Sequence, residues 1–397
     1  MKIAVVVPGR FHAFDLAREL VGRGHQVTLF TNYPPWAVDR FGLSRTNVHS
    51  FWPHGAISRL AGSLHQKIGT PFPEAFLYPL FSRWASTQLK KEHWDVVHSW
   101  GEFSEEILRA LKNTDTLTLL MWGNSHIRTK NGILEEEERR TKTRIGHPTP
   151  WMIHRVEQEY AETDLILVFS SFSYDSFVNQ GVPPGKLHFL PLGTQVRDFR
   201  PPPEVVQQRC RRILSGEPLR VLNIGTFSFR KGAWDLATII QTVNPDRFRF
   251  RFVGPIAKEA ETLAKALSVS VMFTSQQPQW KLPTYYAWGD LFIFPTLEDG
   301  FGQVLPEAQA SALPILASTH CAGTDLIKDE ESGWVFPIRS PEAFIERLLW
   351  CDSHRKELAD MIWRIYDEFK PRDWREVAQD FEAISRESLQ KKHDTGD

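Results

Sequence analysis

The sequence predicts an α/β protein of two domains, each built around a parallel sheet. Three observations carry this. At 397 residues the chain is longer than one ordinary core organises. It opens on a strand–helix–strand pattern, which favours parallel pairing. The alternation of short apolar runs with helical stretches breaks at a proline-rich segment near residue 200 and then begins again.

KIAVVVPG, residues 2–9, reads as a buried strand running into a turn at Gly9. In the next stretch Phe14, Ala17, Leu20 and Val21 share one helical face, closed by Gly22 and Gly24. QVTLFTN, DVVHSW, LTLLMW, DLILVFSS and KLHFLPLG supply further strands of residues 1–199. Residues 200–218, RPPPEVVQQRCRRILSGEP, read as a linker with a short helix. LRVLNIGT, FRFRFVG, SVMFTS, DLFIFPT, LPILAS and GWVFPI then supply strands for residues 219–370. Residues 371–397 carry an amphipathic helix around RDWREVAQDFEAISRESL.

Composition narrows the function classes. A net charge of -1 argues against a dedicated nucleic-acid binder. Three scattered cysteines have no metal-ligand spacing and suit a reducing compartment. The apolar run at the start is too short for a signal peptide, and no run is long enough to cross a bilayer, so the expected location is the cytoplasm. No metal cluster and no cofactor are expected.

Ligands of open α/β sheets sit at the carboxyl ends of strands. PTLEDGFGQVLPEA lies at such an end, after DLFIFP. Its Glu298 and Asp299, the turn Gly300-Phe301-Gly302 and the acid Glu307 surround the start of a helix, where backbone N–H groups favour an anion. A carboxylate also accepts two hydrogen bonds from a vicinal diol, as in a sugar. A second loop, GTFSFRKG, places Arg230 and Lys231 at another strand end before a helix, and two adjacent cations suit a diphosphate. Neither a Walker A loop nor a G-x-G-x-x-G after the first strand is present.

Together these stretches resemble the retaining GT-B glycosyltransferases of family four. The D-G-F-G-x-x-x-x-E run from Asp299 to Glu307 resembles their paired-acid signature, and GTFSFRKG their phosphate loop. HIRTKNGILEEEERR, VEQEYAETDLILVFSSFSYDSF, LPLGT, GTDLIKDEESGWVFP and RDWREVAQ follow in the family's order. The resemblance implies two facing Rossmann-like domains, a cleft between them, and a terminal helix crossing back to the first. It implies a nucleotide-sugar donor, with Glu307 on the ribose and Asp299 on the transferred sugar. Arg230 and Lys231 would face the leaving diphosphate, and Gly300, Phe301 and Gly302 would offer backbone. Gly9 would lie near the phosphates, and His126 would be the sugar-contacting histidine, with His12 and His98 as rivals.

The chain departs from the family pattern in places. Asp299 stands where the family has Glu and is preceded by Glu298, so either acid could meet the sugar. Thr226 follows Gly225 where an arginine is common, and Thr194-Gln195 replaces Val-Asp. An epimerase, a phosphorylase or a non-catalytic nucleotide-sugar binder are the alternatives of other classes. The cluster Trp36, Phe41, Phe51, Trp52, Phe72, Phe76, Tyr78, Phe81 and Trp84 suits ordinary packing, a glycan, or a lipid-linked acceptor with peripheral membrane contact. EEEERR, from Glu135, is expected to be a solvated helix face.

Overall fold

The structure, a computed structural model, describes residues 1–68, 72–194 and 197–394. Its first sheet holds β1 (Lys2–Val7), β2 (Gln26–Thr31), β3 (Val48–Ser50), β4 (Val96–Trp100), β5 (Leu117–Met121), β6 (Leu165–Val168) and β7 (Leu187–Phe189). They pair in the order β3-β2-β1-β4-β5-β6-β7, all parallel. The second holds β8 (Leu219–Ile224), β9 (Phe248–Val253), β10 (Val271–Thr274), β11 (Leu291–Phe294), β12 (Ile315–Ser318) and β13 (Gly333–Phe336). Its order is β10-β9-β8-β11-β12-β13, again parallel.

The central strands are continuous apolar runs because helices cover both faces of each sheet. Ile3 through Val7 and Leu291 through Ile293 are buried to within a percent or so. In both sheets the strand order reverses beside the first strand, between β1 and β4 and between β8 and β11. Those reversals open crevices at the carboxyl ends, where α/β sheets take ligands.

β3 was not expected from sequence: VHS is too short to carry a periodic signal, and its pairing with β2 from Leu29 to Thr31 makes it a strand. The aromatic stretch forms two helices, Trp52–Ile68 and Glu74–Leu89. Phe51, Phe81 and Trp84 pack under β1 and β2, whereas Trp36, Trp52, Ile57, Leu60 and Phe76 are exposed. Among the described residues no helix is long and apolar enough to cross a membrane.

The 200–218 stretch contains the helix Pro203–Leu214, and it is more than a connector. Val206, Cys210 and Ile213 are buried in the core around β8 and β9. The last helix, Trp374–Asp394, puts Trp374, Val377, Ala378 and Phe381 into the core around β1 and lies along the helix Ala13–Gly22. Thr194 N–H donates to the Arg372 carbonyl at 2.9 Å, tying the two crossings together. Gln195 lies outside the described residues.

EEEERR is a solvated face only in part: Glu135, Glu136 and Arg139 are exposed, but the run also carries a buried acid. Glu137 is fully buried and accepts from Arg339 at 3.0 Å and from Arg140. Arg140 also pairs with Asp235, and Arg339 with Glu136 at 2.7 Å. Asp235 and Arg339 belong to the second half of the chain, so this run latches the two halves. Sequence spacing shows the i,i+4 pairs along one helix but not the partners brought up by the fold.

Candidate active site

The carboxyl ends of the two sheets face each other across a cavity of about 420 Å³. Loops after β1, β4 and β5 line one wall, and loops after β8 and β11 line the other. The second wall holds the cations and acids singled out above. The chain between β8 and the helix Ala233–Thr242 makes a short turn over Phe229–Lys231, with the Ser228 hydroxyl accepting from Lys231 N–H at 3.3 Å. Gly232 closes it at φ +78, where a β-carbon would sit 1.9 Å from the Pro295 carbonyl oxygen. A left-handed residue pressed on backbone has to be glycine. That close approach brings Lys231 beside the loop after β11.

There the two acids separate. Asp299 lines the cavity and forms an ion pair with Lys231, which lines it too. Burial alone would raise the Asp299 pKa, yet Lys231 holds it below the usual carboxylate range. Burial lowers the ammonium of Lys231, with Asp299 opposing and Arg230 adding to the effect. Glu298 turns the other way and is fully buried. It accepts from Ser125 N–H at 2.9 Å and the Ser125 hydroxyl at 3.0 Å, and pairs with Arg230 at 3.0 Å. Burial works against its charge, but Arg230, Lys130 and Lys231 hold its pKa low. Glu298 therefore joins the two halves, and Asp299 is the acid aimed into the cleft.

Arg230 does not line the cavity: its Nη1 donates to the Glu298 carboxylate and, at 2.8 Å, to the Glu298 carbonyl. Of the two cations expected in the cleft, Lys231 lines the cavity and Arg230 does not. Phe301 lines the cavity while anchoring in the core of the first half, edge-on to Phe169. Gly300 sits so close to that half that a β-carbon would meet the Gly123 carbonyl oxygen at 2.2 Å. Gly302 lines the cavity as well, at the start of the seven-residue helix Val304–Ala310.

Glu307 follows one turn along that helix, behind the cavity-lining Gln303 and Val304. It is 5% exposed and accepts from the Tyr286 hydroxyl at 2.8 Å and from Gln279 at 3.4 Å. Burial pushes its pKa up to about 7, with the Tyr286 hydrogen bond opposing.

On the other wall the histidine reading is corrected. His126 is the N-cap of the helix Ile127–Thr141, and its ring accepts from Arg128 N–H at 3.2 Å. It is packed against Tyr160 and Phe177, and burial pushes its pKa down to about 4. It does not line the cavity. His98 is fully buried against Trp100 and Phe381, with its pKa pushed down to about 3 by burial. His12 does line the cavity and stacks on Trp374 at 5.6 Å. Gly9 lies just upstream, its carbonyl held by the Thr31 hydroxyl at 2.8 Å, and is not a lining residue.

Sequence reasoning missed Glu102, Trp100 and Trp122, which line the same cavity. Glu102 has φ +77, a left-handed conformation that costs a non-glycine residue about 1–3 kcal/mol. A buried scaffold holds it there. The Glu159 carboxylate accepts the backbone N–H of Glu102 at 2.6 Å and of Ser104 at 2.7 Å, and Arg155 Nε donates to the Glu102 carbonyl at 2.7 Å. Burial raises the pKa of Glu102, with Lys130 opposing. The only sequence signal was a glutamate just past the strand DVVHSW.

Two family descriptions cover the chain: Glycosyltransferase Family 4 matches residues 10–197, and Glycosyl transferases group 1 matches residues 218–352. The chain belongs to glycosyltransferase family 4. Within the family it is similar to the GDP-mannose-dependent alpha-(1-6)-phosphatidylinositol monomannoside mannosyltransferase of Mycobacterium tuberculosis. They are 26% identical over 213 residues, covering 49% of this chain and 55% of that protein. A similar match, 25% over 216 residues, is to the amylovoran biosynthesis glycosyltransferase AmsK of Erwinia amylovora, covering 51% of each. The chain spans about half the length of the curated relatives it matches. In fold it is similar to sucrose-phosphate synthase from Thermosynechococcus elongatus, with TM-score 0.70, 18% identity and coverage of 98% and 100% of the two chains. It is similar also to Anabaena HepE, solved with UDP-glucose, with TM-score 0.65, 13% identity and coverage of 98% and 100%. The two facing parallel-sheet domains are the GT-B architecture of this family.

Proposed function

We propose that the protein transfers a sugar from a nucleoside-diphosphate sugar to a hydroxylated acceptor, with retention at the anomeric carbon. The observation that carries this reading is one cavity shared by Lys231 and Asp299 on one wall and Glu102, Trp100 and Trp122 on the other. The donor lies along the second wall: ribose toward Glu307, diphosphate beside Lys231 and Gly302, transferred sugar against Asp299. Departure of the diphosphate builds negative charge on the leaving oxygen, and the partly buried Lys231 ammonium meets it. Positive charge develops at the anomeric carbon, near Asp299.

No carboxylate nucleophile is required, because the leaving phosphate takes the acceptor's proton on the same face. Glu102 accepts a hydrogen bond from the acceptor, and Trp100 and Trp122 offer it apolar surface. Relatives named for a phosphatidylinositol mannoside and for amylovoran support a lipid-linked or glycan acceptor. The exposed Trp36, Trp52, Ile57, Leu60 and Phe76 support peripheral contact with a membrane carrying such an acceptor. The reaction runs in the cytoplasm without a cofactor, Lys231 supplying the charge that a metal supplies in other transferases.

A thermal-shift screen across nucleoside diphosphates and their sugars tests the donor, since a ligand of the native state raises its stability. One base should stand out, and the matching sugar nucleotide should be hydrolysed slowly by the pure protein. Absence of any shift across the panel would overturn the reading.

A further inference from the structure

A second cavity, of about 430 Å³, shares no lining residue with the cleft. Four arginines line it: Arg209, Arg211 and Arg212 from the helix Pro203–Leu214, and Arg220 from β8. The acids nearby are too few to balance them. Asp290 is fully buried, and its two oxygens take Arg212 at 2.9 and 2.6 Å and the Arg220 backbone N–H at 2.8 Å. Glu217 is at the exposed rim and forms no ion pair among the described residues. Arg211 and Arg220 likewise have no carboxylate in ion-pair contact among the described residues.

The deepest of the four is incompletely satisfied. Arg209 is 2% exposed, and its two terminal nitrogens donate to the carbonyls of Ser311, Ala312 and Tyr286. Its Nε is buried with no hydrogen-bond partner among the described residues. A buried guanidinium N–H without an acceptor is costly, and so are neighbouring cations that outnumber their counter-ions. Arg220 registers this: burial, and then the charge of Arg212, depress its pKa. An anion seated beside Arg211 and Arg220, which have no carboxylate in ion-pair contact among the described residues, offsets the surplus of positive charge.

We propose that this cavity binds a phosphate-bearing solute at a site separate from the cleft. The planar guanidinium fork matches phosphate oxygens two at a time, which a lysine cluster does not. The space has room for a small solute such as inorganic phosphate or a phosphomonoester. Gln208 and Ser215 line the same space and supply neutral hydrogen-bonding groups for the rest of such a molecule.

The test is calorimetry of the full chain with sodium phosphate at fixed ionic strength, in a Lys231→Ala background that weakens the cleft. One phosphate site should remain. Adding Arg211→Gln and Arg220→Gln should weaken it at least about tenfold, the scale of losing a charge-assisted hydrogen bond. Arg209 is left unchanged because its carbonyl bonds hold two helix ends. Matching thermal melts verify that the variants fold. If Lys231→Ala itself melts early, the two arginine changes in the unaltered chain should remove one of two sites. Tighter binding of glucose 6-phosphate than of phosphate identifies a phosphomonoester, and equal binding identifies free phosphate. No site in the Lys231→Ala chain, unchanged affinity in the arginine variants, or equal displacement by chloride would overturn the proposal.

Discussion

The two walls of the cleft achieve rigidity by different means. On the donor wall the charged groups restrain one another directly: Lys231 pairs with Asp299, and Arg230 with Glu298. These residues come from two short stretches, 230–231 and 298–299, brought together by β8 and β11, which are neighbours in the sheet. On the acceptor wall Glu102 forms no such ion pair among the described residues. Its backbone is clamped from below by Arg155 and Glu159, more than fifty residues along the chain. Charge pairs made within the site leave the groups poised to exchange partners when an anion arrives. A clamp on the backbone keeps a carboxylate in place and its oxygens free. Under the proposed function, the contrast suits one wall releasing a diphosphate each cycle and the other orienting a hydroxyl.

The largest effect that would break this contrast is at Lys231. If it carries leaving-group charge, Lys231→Ala should lower kcat by about 10²–10³, as loss of a preorganised electrostatic donor does, with a smaller rise in donor KM. A change confined to KM would make it a ground-state contact only.

Next is Glu307→Gln, expected to weaken bare nucleoside diphosphate about 10- to 150-fold by loss of a charge-assisted hydrogen bond. The unliganded pKa of about 7 adds a pH signature. A diol donates to the ionised acid, so affinity should rise from pH 6 to pH 8 in the parent and show less rise in the glutamine variant. The sign for stability is opposite. With the folded pKa raised, the native state holds the extra proton between the usual carboxylate range and about pH 7, so the free chain loses stability as pH rises through that window. Titrations and melts at both pH values check the two slopes.

Glu298→Gln tests the fixed side of the donor wall. It should cost stability on the order of 2 kcal/mol, less than a fully buried pair because Arg230 is 32% exposed. Denaturant midpoints read this directly. Nucleotide affinity should change less than in Glu307→Gln.

Glu102→Gln should act on the acceptor alone: a several-fold rise in acceptor KM, with donor hydrolysis and thermal stability nearly unchanged, because its clamp holds backbone atoms. Equal damage to donor hydrolysis would place Glu102 on the donor side. The smallest expected effect is that of chelation. Activity should be the same in excess EDTA, and a loss restored by magnesium or manganese would refute the metal-free reading.

Much of the donor wall was legible because its residues are sequence neighbours placed at strand ends. A glycine turn between acids and two cations before a helix carry local meaning before the fold is known. The acceptor wall was not legible in the same way. His126 looked functional because it follows a strand, yet its ring accepts the N–H of the helix it begins. Glu102 looked ordinary because its unusual backbone is imposed by a distant pair. EEEERR looked solvated because Asp235 and Arg339 cannot be assigned to it from a linear pattern.

The sequence by itself determined two parallel α/β halves, since uninterrupted apolar strands alternating with helices can be buried only between helical layers. It also determined the identity of the paired acids and the cations near them. Only the tertiary structure decided which acid faces the cleft, which cation is spent on a neighbour, and which histidine is reachable. Those choices depend on burial and on partners far along the chain, and a side chain's charge and direction follow from what packs around it.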